Sequence, residues 1–202
     1  MRYVRGSVLD IGCGAGRHSL FLQKKGFHIL GVDRSPLAVQ VSKSRGLKNA
    51  RVMSITQLTP KLGMFDTILM LGNGFGLFSN PRQAKTLLRR FLKMTNPKAK
   101  IIAESLDPYK TKELFHLRYH RLNRERGRMP GQVRIRVRYK GYCTPWFDYL
   151  LVSGEEMKQI LSGTGWRIRR FLSSRGRSLS SRGLVYTAII QRESGRAYRP
   201  RS

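Results

Sequence analysis

Two carboxylates and a run of alternating glycines stand out for their spacing. In VLDIGCGAG, Val8 to Gly16, Asp10 stands two residues before Gly12, and Gly14 and Gly16 follow. A second carboxylate, Asp33, closes GVD, 17 residues after Gly16. Glycine tolerates positive φ and puts no side chain in the path of a close ligand. A pyrophosphate-binding dinucleotide loop prefers GxGxxG. Here the spacing is GxGxG, and Arg17 stands where the third glycine of that pattern would fall. A carboxylate at Asp10 opposes a nearby phosphate and favours a cation, so a dehydrogenase is disfavoured. A carboxylate at Asp33 suits ribose hydroxyls. The ligand implied is a nucleoside with a ribose at one end and a positive centre at the other.

Positioning these groups requires alternating strands and helices. Ser7 to Ile11 reads as a buried strand, Ala15 to Lys25 as a helix stopped by Gly26, and Phe27 to Asp33 as a second strand. Ser35-Pro36 opens a helix by the N-cap and N1 preferences, running to about Arg45 before Gly46. Arg51 to Ile55, Phe65 to Leu71 and Ala99 to Leu106 read as strands, with a helix capped by Asn80-Pro81 before the last. Such alternation predicts a doubly wound, mostly parallel sheet covered on both faces. After Asp107-Pro108 the pattern changes: a basic helix from Thr111 to Arg126, a turn from Gly127 to Gly131, and strict alternation from Gln132 to Lys140. The last reads as one half-buried strand with a cationic face, partnered by Trp146 to Val152. A helix from Ser153, then strands at Trp166 to Leu172 and Leu184 to Gln191, complete an α/β/α sandwich with seven strands. The low-complexity stretch Ser173 to Gly183 reads as a loop between those strands. The expected organisation is one domain over 1–193, with an insertion at about 109–152 and a disordered basic tail at 194–202.

S-adenosylmethionine meets the description of the ligand: adenosine, a sulfonium, and an amino-acid tail with an ammonium. At this point the sequence resembles the class I S-adenosylmethionine-dependent methyltransferases. VLDIGCGAGR is similar to their first motif, GVD (Gly31 to Asp33) to their second, and FDTILMLGN (Phe65 to Asn73) to the fourth-strand motif leading to the reaction centre. The resemblance covers Val8 to Leu106 well and the last helix and strands more loosely. It implies a Rossmann-like fold and S-adenosylmethionine as cofactor. It also implies that Gly12, Gly14 and Gly16, with Cys13 of the same loop, line the methionine moiety. Asp10 would reach the ammonium, directly or through water, and Asp33 would hold the ribose. Arg34 and Ile55 would flank the adenine, and Leu71 and Gly72 would offer backbone near the methyl. Members often carry an acid just past the third strand for the adenine amine. This chain reads VMSIT there, which leaves Ser54 or a backbone carbonyl. Members also usually carry helices before the first strand; here about six residues precede it.

In-line methyl transfer needs alignment and exclusion of water more than chemical groups. Asn73, after the fourth strand, could bind an acceptor amine or hydroxyl, or serve only as a turn residue. Phe75 and Phe78 could wall the site or pack in the core. In YCTPWFDYL, Tyr142 to Leu150, Trp146, Phe147 or Tyr149 could stack on a planar acceptor. Asp148 there could bind an amine or act as a base, or pair with an arginine. His116 and His120, four residues apart, could act as bases, although a solvated helix face is the expected setting.

The 202 residues carry 40 Lys and Arg against 11 acids, a net charge of +29. Such a field attracts polyanions. No apolar run is long enough to span a bilayer, and MRYVRGS is too short and polar for a signal peptide, so a cytoplasmic, non-membrane protein is expected. Two cysteines give no disulfide framework and no metal spacing, and no metal is expected. The expected activity is transfer of a methyl group to a small-molecule acceptor. Two alternatives stay open from the charge: an RNA methyltransferase using the basic insertion, and a non-catalytic nucleic-acid-binding relative.

Overall fold

The computed structural model describes residues 2–173 and 185–193. Its first half alternates β1 (Val8–Ile11), α1 (Arg17–Lys24), β2 (Ile29–Asp33), α2 (Pro36–Ser44), β3 (Ala50–Val52), β4 (Phe65–Met70), α3 (Pro81–Leu92) and β5 (Thr95–Leu106). The second half holds α4 (Leu114–Glu125), the short strands β6 (Gln132–Ile135), β7 (Arg138–Tyr139), β8 (Tyr142–Cys143) and β9 (Phe147–Leu150), then α5 (Gly154–Leu161), β10 (Trp166–Ser173) and β11 (Val185–Arg192). Seven strands form one sheet in the order β10-β11-β5-β4-β1-β2-β3. β1 to β5 pair in parallel, while β11 runs antiparallel to both β5 and β10. The expected doubly wound sandwich is therefore the observed one.

Local chemistry accounts for the boundaries. Every residue of β1 is buried, as a parallel strand covered on both faces requires. Ser35 Oγ accepts from Ala38 N at 3.2 Å and Asn80 Oδ1 from Gln83 N at 2.8 Å, each just before a proline at the first helical position. Ser153 and Glu156 close a reciprocal capping box at the start of α5. The core continues from the sheet into α3 and α5, where the fully buried Trp166 donates its indole N–H to Leu88 O at 2.9 Å.

Two expectations need correction. The alternating segment 132–140 is not one strand: it pairs with β9 only over Gln132–Ile135, and Arg138–Tyr139 turns into a separate hairpin with Tyr142–Cys143. Val137 and Tyr139, expected on a half-buried face, are 56% and 69% exposed, since the pairing with β9 ends at Ile135. The third strand is also shorter than expected, since Ile55–Gln57 turns into a 3-10 helix. The expected tail at 194–202, and the loop expected at 173–183 beyond Ser173, lie outside the described residues. No helix among the described residues is long and apolar enough to cross a membrane.

Candidate active site

The glycine loop is pinned to the tip of β2. Gly12 N and Cys13 N both donate to Val32 O, at 2.8 and 3.1 Å, and Gly14 N donates to Asp33 Oδ2 at 2.9 Å. The other carboxylate oxygen, Oδ1, accepts from Ser35 N at 2.9 Å. Asp33 thus shapes the loop and caps the following turn, and each oxygen keeps a further lone pair for a hydroxyl. Gly12 has φ 76°, and a Cβ there would stand 3.0 Å from Leu77 Cδ1, so backbone alone fits beside the cavity.

Asp10 lies behind the loop. It is 2% exposed, and its Oδ2 accepts from Ser19 Oγ at 2.6 Å. Burial pushes its pKa up to about 6, with the Asp33 charge adding to the rise and the Ser19 hydrogen bond opposing it. Ser19, the first residue of α1 to face inward, had no signal of its own in the sequence. Cys13 points away from the ligand side: its Sγ would lie 3.0 Å from a Cβ on Gly31. Burial, then Asp10 and Asp33, push its thiol up to about 12. Gly16 begins α1 against Ser42 and Leu20, also away from the cavity. The structure therefore separates the loop into a cavity-lining part at Gly12 and a buried supporting part at Asp10, Cys13 and Gly16.

A cavity of about 720 Å³ opens at the carboxyl ends of these strands. Gly12, Asp33, Arg34, Ser54, Ile55 and Asp148 of the expected residues line it. Met53, Thr56, Gln57, Leu77, Asn80 and Gln83 line it as well, and none of them carries a ligand signal in the sequence. Phe147 and Tyr149 reach it from β9, so the insertion forms one wall. The Arg34 guanidinium lies over the Phe147 ring at 5.4 Å, joining the tip of β2 to the inserted hairpin. Trp146 takes the Arg136 guanidinium at 4.7 Å instead, and is not a lining residue. A volume of this size with an apolar slot and a carboxylate at one end suits a nucleoside.

Asn73 sits in a left-handed turn after β4, at φ 60°. Its N–H donates to Glu104 Oε1 at 3.1 Å, and its carbonyl accepts from Tyr149 OH at 2.6 Å. Its side-chain Oδ1 is buried with no hydrogen-bond partner among the described residues. A buried acceptor left unpaired is costly, although Asn73 itself is not among the residues lining the cavity. Leu71 and Gly72 lead into this turn but do not line the cavity. Burial, then the Glu104 charge, push the Tyr149 phenol up to about 12, so it stays a donor. The Tyr149 ring lies over Gly76, where a Cβ would approach within 2.2 Å of the ring. His18 is held below the usual histidine range by burial and by Arg17, against the pull of Glu104. Glu104 was missed in the sequence; an acid inside the apolar run IIAESL was the available signal. Phe75 and Phe78 are fully buried and stack edge to face at 5.0 Å, so they are core residues.

A second cavity of about 410 Å³ lies between α4 and the β6–β9 pair. Val133 and Ile135 stand opposite Tyr149 and Phe147, so one face of this pair borders both cavities. His116 and His120 line it with Phe115 and Tyr119. The expected solvated histidine face is inverted: His120 is 6% exposed, while Leu114 and Phe115 are 70% and 61% exposed. Asn123, also turned inward, explains the orientation, since its Nδ2 donates to Pro130 O and Gln132 O at 3.0 and 2.8 Å. Burial, then Arg124 and His116, hold His120 below the usual histidine range. His116 Nδ1 is 2.8 Å from Thr111 Oγ1. Asp148 takes no ion pair among the described residues, although Arg134 stands opposite it.

Residues 8–98 match the family model described as a methyltransferase domain. A 2-heptyl-1-hydroxyquinolin-4(1H)-one methyltransferase of Mycobacteroides abscessus is 39% identical over 72 residues, covering 33% of this chain and 32% of that protein. A glycine/sarcosine N-methyltransferase of Halorhodospira halochloris is 26% identical over 103 residues, 48% of this chain and 38% of that protein. The chain thus spans about a third of the length of these curated relatives. Among solved structures, a Bacteroides fragilis S-adenosylmethionine-dependent methyltransferase in complex with S-adenosyl-L-homocysteine superposes with a TM-score of 0.75. The match is 26% identical and covers 95% of this chain and 74% of that one. A Methanosarcina mazei S-adenosylmethionine-dependent methyltransferase gives 0.72 at 18% identity, over 95% of both chains, a likeness of fold.

Proposed function

We propose that the chain is a class I S-adenosylmethionine-dependent methyltransferase that methylates a small-molecule acceptor, a reading supported by the methyltransferase-domain match over residues 8–98 and by the Bacteroides fragilis structure. The observation that carries this reading is the cavity at the carboxyl ends of β1 and β2, lined by Gly12 and Asp33. It lies beside the switch point of the sheet, where strand order reverses between β1 and β4.

When bound, S-adenosylmethionine supplies an electrophilic methyl group on a sulfonium. Asp33 accepts hydrogen bonds from its ribose, and Ile55, Arg34 and Ser54 hold its adenine. Gly12 gives its methionine part close backbone. Asp10 acts from behind the loop, where its carboxylate favours a positive centre without touching it. Asn73 Oδ1 accepts an N–H or O–H at the methyl end, while Glu104 and Tyr149 fix the turn that presents it. Asp148 stands on the wall of the same cavity as a second polar candidate. The histidine-lined second cavity supports an apolar or aromatic acceptor body, with His120, held below the usual histidine range, able to take a proton. The small-molecule acceptors named for the two curated relatives support the same class.

The test is incubation of the purified chain with methyl-labelled S-adenosylmethionine, a panel of aromatic hydroxy and amino compounds, and total RNA in a separate arm. Label in one or more small molecules is expected. Label in RNA alone, or in nothing while the cofactor binds, would contradict the proposal.

A further inference from the structure

The net charge of +29 finds no use in the site above. A third cavity, of about 600 Å³, gathers Arg5, Lys98, Lys100, Arg169 and Arg192. Topology places it at the opposite end of the sheet. Arg5 precedes β1, Lys98 and Lys100 lie in the first half of β5, and Arg192 ends the antiparallel β11. Arg169 falls at the irregularity of β10 between Ile168 and Arg170. We propose that this basin binds the phosphate chain of a polyphosphate anion.

Among the described residues one carboxylate, Asp66, stands in the lining against five cations, and hydrogen bonds to both of its oxygens hold it in place. Its Oδ2 accepts from Ser7 N at 3.0 Å and its Oδ1 from Asn96 Nδ2 at 2.7 Å. Among the described residues, none of the five cations takes an ion pair with a carboxylate. Arg192 is held rigidly, because its Nη1 donates to Leu92 O and Thr95 O at 3.3 and 2.6 Å, and its other N–H groups remain for a ligand. Burial, then the neighbouring Arg5 and Arg169, hold the Lys100 ammonium below the usual lysine range, a sign of like charges crowded together. A multivalent anion relieves that repulsion and releases its counterions on binding. Among the described residues no aromatic lines the basin for base stacking, so the proposed recognition rests on phosphate. The site is independent of the proposed methyl transfer.

The experiment measures binding of inorganic tripolyphosphate by calorimetry, and of a labelled single-stranded RNA by anisotropy across a salt series. The whole chain is used, with the double variant Arg5→Gln/Arg169→Gln. Its fold is expected to persist, since Arg5 meets Thr67 through main-chain atoms only. Arg138→Gln/Lys140→Gln, which removes two charges from the inserted hairpin, is the control. The basin variant is expected to weaken tripolyphosphate at least about tenfold while the control changes it less than about twofold. An RNA loss of the same size, with a salt slope shallower by about 1.4 for two lost contacts, assigns the basin to nucleic-acid backbone. Unchanged RNA binding assigns it to free oligophosphate. Equal losses in both variants, or no tripolyphosphate binding by the parent chain, would overturn the proposal.

Discussion

Replacing Asp33 with alanine is expected to weaken binding of S-adenosylhomocysteine by at least about a hundredfold. Hydrogen bonds to a charged group contribute about 1.5–3 kcal/mol each, which is about ten- to hundredfold in affinity per bond. Two ribose hydroxyls face this carboxylate in the proposed complex. The substitution also releases Gly14 N and Ser35 N, which Asp33 holds at 2.9 Å each, so the loop loses its tether as well as the ligand its anchor. Asp33→Asn separates the two effects, because an amide oxygen can keep one tether without the charge. Calorimetry on the parent and both variants is the check. Affinity unchanged in the alanine variant would remove Asp33 from the site.

The second large effect concerns Asp10. In the unfolded chain its carboxyl titrates near the ordinary aspartate value, about 3.9, whereas in the fold burial raises it to about 6. Between those values the folded state holds a proton that the unfolded state has released. Stability therefore falls as pH rises from about 4 to about 6 and stays lowered above that. The displacement corresponds to roughly 3 kcal/mol. Asp10→Asn keeps an acceptor for Ser19 Oγ and removes the buried charge. It is expected to raise the melting temperature at pH 7 to 8 and to leave it unchanged near pH 4. The same charge has a use: a cationic ligand favours the ionised form, so cofactor binding by the parent chain is expected to release a proton and to weaken below about pH 6. The variant should bind more weakly at pH 8 and lose that pH dependence. Thermal melts across pH, with calorimetry in buffers of different ionisation enthalpy, read both effects. Parallel stability curves for parent and variant would contradict the role given to burial.

What the sequence revealed follows from the range of the interactions involved. Ser35, Asn80 and Ser153 act within three residues of themselves, so their helix starts were legible. The central strands were legible because burial on both faces leaves continuous apolar runs. The break after Ile135 was not, because the alternation continues to Lys140 while the partner strand ends. At the cavity, the positions of Asp33 and Gly12 on its wall were readable from a loop and a strand tip set by local spacing. Glu104 and Tyr149 act on Asn73 from 31 and 76 residues away, and no periodicity encodes such pairings. The inward turn of His120 depends likewise on Asn123 meeting the start of β6, a contact made only when the insertion folds. At Cys13 and Gly16 the motif speaks only for the backbone: the Cys13 side chain packs on β2 and Gly16 abuts α2, contacts that no local spacing encodes.

The central claim is that one cavity, bounded by Gly12 and Asp33, holds the methyl donor. A crystal structure of the chain soaked with S-adenosylhomocysteine tests it most directly. The account predicts density in that cavity, with the ribose hydroxyls on the Asp33 carboxylate, the adenine against Ile55, and the sulfur, which carries the methyl group in the donor, toward Asn73. An empty cavity at saturating ligand, or a ribose bound away from Asp33, would contradict it.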